Sequence, residues 1–213
     1  MKRIVSAGIF TSVLLLSACS GPAAGEQLDA VLNDTFDAEK EYRETQKKME
    51  ELEKDEQQLF ESIMALTQEQ QDEVDSQAEE AIASAQERLE LLAAEKESMG
   101  NAQENFKEID TVIAETDDAQ LKEELGSLKE KMQERFDAHG QFTEAYETLN
   151  GLQQELYTML MDEETELKTM QEKALEVNEQ NTAVQDAVTA FNNSTEQFNE
   201  MKNQIVDNLK ESE

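Results

Sequence analysis

The chain has 213 residues, of which 50 are acidic and 18 are basic, and its formal net charge at pH 7 is −32. A surface of this charge repels nucleic-acid phosphates and anionic lipid headgroups, which excludes nucleic-acid binding and electrostatic adsorption to a membrane. The sequence has one cysteine and one histidine. This excludes a disulfide framework, a two-histidine metal site and Cys/His nucleophilic catalysis.

The N-terminus has the order of elements of a bacterial lipoprotein signal. Two basic residues precede an apolar run of 13 residues from Ile4 to Leu16, and the tetrapeptide LSAC ending at Cys19 matches a lipobox. The apolar run is shorter than the roughly 20 residues that a transmembrane helix needs. We therefore predict that residues 1–18 are a cleaved signal peptide. Cys19 then receives a diacylglyceryl group, with acyl chains of the palmitate type, which anchors the chain to the extracytoplasmic face of the cell membrane of a Gram-positive envelope.

The remaining chain divides by composition. Residues 20–27 contain the only proline and two of the seven glycines, so residues 19–27 are predicted to be the lipidated cysteine and a tether. The following residues are rich in Glu, Gln, Lys, Leu, Ala and Met, which favour helices. We predict a single helical-bundle ectodomain over residues 28–209 and a C-terminal tail over residues 210–213.

Apolar residues recur at intervals of seven in four successive stretches, which predicts helices over roughly 28–66, 68–114, 118–160 and 163–209. The first stretch has the series Val31, Ala38, Thr45, Leu52, Leu59 and Leu66, with the partner series Leu28, Thr35, Tyr42, Met49, Glu56 and Ile63. The second has Ala78, Ala85, Leu92, Met99, Phe106 and Ile113. The third has Leu121, Leu128, Arg135, Phe142, Leu149 and Leu156, interleaved with Leu125, Met132, His139, Tyr146 and Leu160, and the fourth has Met170, Val177, Val184, Phe191, Phe198 and Ile205. This pattern predicts an all-α fold, an elongated antiparallel bundle of four long helices with coiled-coil packing. The alternative is a three-helix bundle or a long coiled-coil hairpin, with the third and fourth stretches fused.

Three capping patterns mark the predicted joints between these helices. Thr67 followed by Gln70 has the spacing of a capping box. Thr116 or Asp117 is placed to cap the third helix. Asp162 is placed to cap the fourth helix, with acidic residues in the first turn, where the helix dipole favours negative charge.

Five polar residues interrupt the heptad series, namely Glu56, Arg135, His139, Asn181 and Thr195. Such residues could form a buried site, but polar residues at core positions of coiled coils more often fix the register of the helices at a cost in stability. His139 is accordingly expected to be partly buried and not to act as a catalytic base. The sequence has no Gly-rich phosphate loop, nucleophile elbow or calcium-binding loop. We predict no catalytic, cofactor-binding or metal-binding residues.

Three segments of the helical region resemble a known family. They are EKESMGNAQENF (residues 95–106), LYTML (residues 156–160) and FNNSTEQFNEMK (residues 191–202). Together with the lipobox, they are similar to the YkyA-like cell-wall-binding lipoproteins of Gram-positive bacilli, and the similarity extends to about residue 202. The resemblance implies a surface lipoprotein with a helical ectodomain that is linked to the cell wall, and it brings no catalytic residues.

These observations predict a non-enzymatic lipoprotein that is held by a diacylglyceryl anchor on Cys19 and binds a cell-wall polymer at the membrane–wall interface. The alternative is a structural or adaptor coiled coil that binds other envelope proteins. A solute-binding protein is disfavoured because it would need α/β lobes around a cleft. The acidity of the chain has two explanations, solubility outside the cell and contact with anionic wall polymers through divalent cations. No cofactor is predicted, and the oligomeric state is left open.

Overall fold

The computed structural model describes residues 24–211, which form six α-helices and one 3₁₀ turn and contain no strand. The helices are α1 (Ala24–Ala38), α2 (Lys40–Ala65), α3 (Gln71–Phe106), α4 (Ile109–Glu115), α5 (Ala119–Met161) and α6 (Leu167–Glu211), and the 3₁₀ turn is Gln68–Gln70. The predicted all-α fold with four long helical stretches is confirmed, since α1 with α2 and α3 with α4 form the first two stretches. The three-helix alternative is wrong because residues 162–166 separate α5 from α6.

The described residues form two compact units. Unit 1 comprises residues 24–43, 96–140 and 189–211, and unit 2 comprises Glu44–Glu95 and Gln141–Val188. Each unit takes one part from each of the four helical stretches. The interpretation of residues 28–209 as a single ectodomain stays a prediction.

Unit 1 is an antiparallel arrangement of helices. The side chain of Gln27 donates to Glu115 at 2.9 Å, and that of Asn105 donates to the carbonyl of Asp34 at 3.1 Å, so α1 runs antiparallel to the end of α3 and to α4. Lys129 of α5 pairs with Asp110 of α4, which places α5 beside α4. Asn208 and Thr195 of α6 pair with Glu124 and Arg135 of α5, so α6 runs antiparallel to α5. The core of this unit is aromatic and aliphatic, and its largest members include Leu28, Tyr42, Phe106, Phe136, Phe191, Phe198 and Ile205.

Unit 2 has the same alternation of direction and two apolar clusters. Gln46 pairs with Glu95, Asn150 donates to the carbonyl of Ala85, and Gln180 donates to the carbonyl of Ala145. The first cluster draws on all four helices and contains Met49, Leu92, Phe142, Tyr146, Leu149 and Val184. The second cluster is built from α2, α3 and α5 alone and contains Ile63, Ala78, Ala81 and Tyr157, with Leu59, Phe60, Val74, Ile82, Leu160 and Met161 packed against it.

One heptad series in each helical stretch predicted burial closely. All six members of the series from Leu28 to Ile63 are buried, whereas only Val31 and Thr45 are buried in the series from Val31 to Leu66. The first five members of the series from Ala78 to Ile113 are buried. Ile113, the sixth, is only half-buried, and after the interruption at positions 107–108 the buried residues of α4 are Ile109 and Val112. In the fourth series, Met170 and Val177 are half-buried and the remaining members are buried.

The first helical stretch is interrupted at Glu39 by a hydroxyl group from another helix. The Oγ of Ser98 donates to the carbonyl of Ala38 at 2.7 Å and accepts from the backbone N–H of Tyr42 at 3.1 Å. In an uninterrupted helix that N–H would donate directly to that carbonyl. Insertion of a side chain into the helical hydrogen-bond ladder is a known cause of helix kinks. The interruption therefore depends on a residue of α3.

Two of the predicted joints are capped differently from the prediction, and one is capped as predicted. Gln70 Oε1 accepts from the backbone N–H of Thr67 at 3.2 Å, as a capping box requires. The prediction of Thr116 or Asp117 as the cap of the third helix is wrong, because Asp118 Oδ1 accepts from the N–H of Leu121 at 2.8 Å. Thr116 is buried, and its hydroxyl donates back to the carbonyl of Val112 at the end of α4.

The joint before α6 is longer than predicted. Asp162 accepts from the backbone N–H of Glu164 at 3.0 Å and from the hydroxyl of Thr165 at 2.9 Å. These two bonds close a turn of the kind in which an Asp side chain replaces a backbone acceptor. The fourth helix therefore begins at Leu167 and not at residue 163.

No helix among residues 24–211 combines the length and the apolar character that crossing a bilayer requires.

Candidate functional site

Cys19, the predicted lipidation site, lies outside the residues that the structure describes. Within residues 24–211, the polar features of the interior are therefore the candidates for a site. Two of them are buried ion pairs between an arginine and a glutamate, one in each unit. Each pair joins helical stretches that are distant in sequence.

The ion pair of unit 2 joins Arg88 of α3 to Glu56 of α2, with 2.5 Å between Nη2 and Oε2. The hydroxyl of Tyr157 donates to the other oxygen of Glu56 at 3.0 Å. The guanidinium also donates to the hydroxyl of Tyr146 at 3.2 Å and to Gln153 Oε1 at 3.3 Å. Three helices are thus tied together by one charged group, which fixes the register of α2 and α5 against α3.

Burial governs the protonation of this cluster. Burial raises the pKa of the Glu56 carboxyl above its ordinary value, and the nearby guanidinium of Arg88 opposes that rise only in part. Burial, followed by the charge of Glu56, also raises the pKa of Tyr157. Because the phenol keeps its proton, it remains a hydrogen-bond donor to the carboxylate. Burial by itself would lower the pKa of Arg88, but its contacts, led by Tyr146, raise it overall.

The ion pair of unit 1 is bidentate. Arg135 donates to both carboxylate oxygens of Glu39, at 2.5 and 3.0 Å, and its Nε donates to the hydroxyl of Thr195 at 3.1 Å. The guanidinium carbon lies 5.1 Å from the centre of the Phe191 ring, within cation–π distance. Glu39 is the residue at which the first helical stretch is interrupted. The pair therefore ties that interruption to α5 and α6.

The structure brings some of the five predicted polar residues together and separates others. Arg135 and Thr195 are in contact, whereas Glu56 belongs to the other cluster. His139 is 4% exposed and packs edge-on against the rings of Tyr42 and Phe191, at 5.7 and 5.4 Å between ring centres. Burial of His139 is thus confirmed. Asn181 is half-buried on α6.

The charged partners of these residues were missed from the sequence. Arg88 belongs to a second heptad series that runs beside the first in α3 and continues into α4, with members Ala81, Arg88, Glu95, Ala102 and Ile109, and all five are buried. Each member lies three residues after one member of the series from Ala78 to Ile113 and four residues before the next. This spacing could have identified Arg88 as a core position from the sequence. Glu39 had a similar spacing signal, since it lies four residues after Thr35 and three residues before Tyr42, and all three are buried.

The geometry of both clusters is that of structural ion pairs. Each carboxylate is held by an arginine, and the Glu56 carboxylate is also held by a phenol. Among residues 24–211, no three His, Cys, Asp or Glu side chains are grouped closely enough to hold a metal ion.

Comparison with known proteins places the chain in a family. A family model described as "Putative cell-wall binding lipoprotein", YkyA, matches residues 23–208. The chain belongs to the YkyA family. A curated relative, described as the uncharacterized lipoprotein YkyA of Bacillus subtilis (strain 168), is 24% identical over 204 residues, which is 95% of this chain and 92% of the relative.

A solved structure has the same fold. It is the crystal structure of a conserved protein of unknown function from Staphylococcus aureus, with a TM-score of 0.73 and 15% sequence identity, covering 88% of this chain and 97% of the other. At that identity the similarity concerns the fold alone.

The segments that carry the resemblance to the YkyA family supply the interior of the units. Segment 191–202 contributes the buried Phe191, Phe198 and Lys202, and segment 95–106 contributes the buried Ser98 and Phe106. Lys202 Nζ donates to Asn199 Oδ1 at 3.3 Å, and burial lowers the pKa of Lys202. These segments of the chain therefore contribute packing residues and buried polar contacts.

Proposed function

We propose that this chain is a non-enzymatic lipoprotein, anchored through Cys19 to the outer face of the cell membrane, that binds a polymer of the cell wall. The observation that carries the proposal is the family match over residues 23–208, because that family is described as cell-wall binding and as lipoprotein. The match begins four residues after Cys19. An anchor at that position would hold the helical region beside the membrane.

The charge of the chain sets a condition on wall binding. Unit 2 contains 27 acidic and six basic residues, a formal net charge of −21 out of the −32 of the whole chain. Teichoic acids are also anionic, so direct contact with them is opposed by repulsion. Divalent cations bind carboxylate and phosphate oxygens and can bridge two anionic surfaces. We therefore expect binding to anionic wall polymers to require a divalent cation.

Sedimentation with insoluble wall material tests this proposal. The full-length protein, purified in mild detergent, is mixed with purified walls that carry teichoic acid, or with peptidoglycan from which teichoic acid has been removed. Each mixture is prepared with millimolar Mg²⁺ or with a chelator. We expect sedimentation with complete walls in Mg²⁺ and its loss in chelator. If the protein stays in the supernatant in all four mixtures, wall binding is refuted.

The anchor is tested separately by the location of variants in the cell. Cys19→Ser should release the processed chain from the membrane fraction, because no other lipid attachment is predicted. Ser20→Ala, one position beyond the lipobox cysteine, is the matched control and should remain in the membrane fraction. A Cys19→Ser chain that is cleaved after residue 18 and still sediments with membranes would contradict the anchor.

A second candidate function is that of an adaptor that binds other envelope proteins. It is favoured by large apolar side chains that unit 2 leaves exposed, Met64, Leu167 and Leu175, each more than 60% exposed. The sedimentation assay separates the two functions, since an adaptor would not sediment with purified wall polymer. An adaptor would instead bind a protein segment in solution.

A further inference from the structure

The first part of α6 is weakly attached to unit 2. Residues 167–183 contribute no fully buried side chain, whereas the rest of α6 contributes Val184, Phe191, Ser194, Phe198, Lys202 and Ile205. The apolar cluster at Tyr157 contains residues of α2, α3 and α5 and none of α6. Met170, Ala174 and Val177 are half-buried on the inward side of the helix. The opposite side of this part of α6 is left to solvent.

Two exposed leucines lie off the inward side, Leu175 on the outer side and Leu167 at the edge next to Ala174. Leu167 is 67% exposed and Leu175 is 62% exposed. They are eight residues apart, which places them about 80° apart around the helix axis, and the exposed Gln171 and Asn178 lie between them. We call these four residues the α6 face. Exposed leucines that occur singly need no explanation, but these two share one face of a helix that has few buried contacts.

The margin of the α6 face is acidic. Leu175 is flanked by Glu172 three residues before it and Glu179 four residues after it, the spacings at which helical side chains are neighbours. The basic residues of this part of the helix are already paired. Lys173 contacts Glu155 at 2.8 Å and Glu176 at 2.6 Å, and Lys168 contacts Glu172 at 3.5 Å. Residues 162–179 contain seven acidic and two basic residues.

We propose that the α6 face is a docking surface for a cationic amphipathic helix of another protein. The partner would place leucine-like side chains, spaced three and four residues apart, against Leu167 and Leu175. Its flanking lysines or arginines would lie beside Glu172 and Glu179, where opposite charge speeds association and selects the partner. This inference goes beyond wall binding, because it assigns a protein partner to a defined surface.

Charge and size disfavour the other occupants. An anionic lipid surface is repelled by the acidic margin. A second copy of this chain would bring a second unit of net charge −21 against the first. Two leucines per copy also provide much less apolar area than the roughly 1,200 Å² of total burial that a stable interface needs. A basic helix meets no charge repulsion, and charge attraction adds to the small apolar contact.

The test measures binding of synthetic peptides to the full-length protein in detergent, by fluorescence anisotropy. The first peptide is an amphipathic helix with leucines along one face and lysines beside them. The second has the same composition in scrambled order, and the third has glutamate in place of lysine. The protein variants are Leu167→Gln/Leu175→Gln, Glu172→Gln/Glu176→Gln/Glu179→Gln, and the control Glu196→Gln/Glu200→Gln/Asp207→Asn. The control removes the same charge from exposed positions of α6 in unit 1.

The amphipathic lysine peptide should bind the unchanged protein at least about tenfold more tightly than the other two peptides. The leucine variant and the acidic-margin variant should each weaken that binding about tenfold, and the control variant should stay within about twofold of the unchanged protein. Both variants alter exposed side chains, so thermal unfolding should change little. Sedimentation of the leucine variant with walls should equal that of the unchanged protein, which separates this inference from wall binding.

Two results would overturn the proposal. Equal binding of the amphipathic and scrambled peptides would reduce the interaction to general charge attraction. Sedimentation of the unchanged protein as a dimer that Leu167→Gln/Leu175→Gln converts to a monomer would assign the α6 face to a second copy of the chain.

Discussion

Removal of one member of the Glu56–Arg88 ion pair should destabilise the protein far more than removal of an exposed pair of equal length. The distance between nitrogen and oxygen is 2.5 Å in this pair and also in the pair of Lys107 with Glu104. The side chains of the first pair are 2% and 5% exposed, and those of the second are 62% and 68% exposed. Because the distances match, the two pairs differ mainly in burial and in the further contacts of Arg88 and Glu56 with Tyr146, Gln153 and Tyr157.

The expected magnitude follows from what each substitution leaves behind. At an effective dielectric constant of about 20, two charges about 4 Å apart interact by about 4 kcal/mol. Glu56→Gln would leave the guanidinium of Arg88 buried without its direct carboxylate partner, with only the charge of Glu53 nearby, and its Nε has no acceptor in the structure. We expect Glu56→Gln and Arg88→Met each to cost about 3–5 kcal/mol, whereas Glu56→Leu/Arg88→Met should be close to neutral. Removal of the exposed pair should cost less than about 1 kcal/mol.

Urea unfolding of the full-length variants, followed by circular dichroism, measures these differences. The single variant Glu56→Leu, with Arg88→Met and Glu56→Leu/Arg88→Met, closes a double-mutant cycle that gives the coupling within the pair. Lys107→Met and Glu104→Gln, with their double variant, form the matched cycle. The reasoning would be refuted by a buried-pair coupling no larger than that of the exposed pair. A double variant as unstable as the worse single variant would equally show that packing, and not charge, sets the cost.

Three further predictions concern pH, salt and backbone entropy. Burial raises the pKa of the Asp29 carboxyl above its ordinary value of 3.8, so the folded protein binds this proton more readily than the unfolded chain does. Its contribution to the free energy of unfolding should therefore rise as the pH falls from 7 toward 3.8, and Asp29→Asn should flatten this rise in urea titrations. Salt should raise the melting temperature, because the Debye length falls from about 30 Å at 0.01 M to about 8 Å at 0.15 M and screens the repulsion between acidic residues; a melting temperature that falls steadily with salt would show that ion pairs dominate. Gly100→Ala and Gly151→Ala should each stabilise the protein by about 0.5–1 kcal/mol, because both glycines are helical and no atom lies within 4 Å of an added Cβ; a loss of stability at either site in urea unfolding would contradict this.

The periodic part of the fold was predictable because burial in a helical bundle repeats every seven residues. The series from Leu28 to Ile63 is buried at every member, including the polar Thr35 and Glu56. In this series, position in the heptad predicted burial even for polar side chains. The number of helical stretches was also correct, because clusters of polar residues mark the joints between them, although two of the three predicted caps were wrong.

The remaining features depend on contacts between distant residues. The cap at Asp118 could not be separated from Thr116 or Asp117 by residue type, since all three are good capping residues. Thr116 does not cap the third helix, because its hydroxyl donates to the carbonyl of Val112 at the end of α4. The partner of Arg135 could not be named because many glutamates lie in suitable stretches and only the packed helices select Glu39. The same holds for the choice of Arg88 as the partner of Glu56.

The hydroxyl of Ser98 has a consequence for how the first helical stretch would behave outside the protein. Residues 35–43 have no proline or glycine, so nothing in their own sequence stops a helix. A peptide of residues 24–65 should therefore favour one continuous helix where it is helical, and it would acquire the interruption only on packing against α3. Ser98→Ala should restore the direct bond from Tyr42 to Ala38 and turn Glu39 away from Arg135. The hydroxyl oxygen of Ser98 on α3 thus determines where the first helical stretch is interrupted.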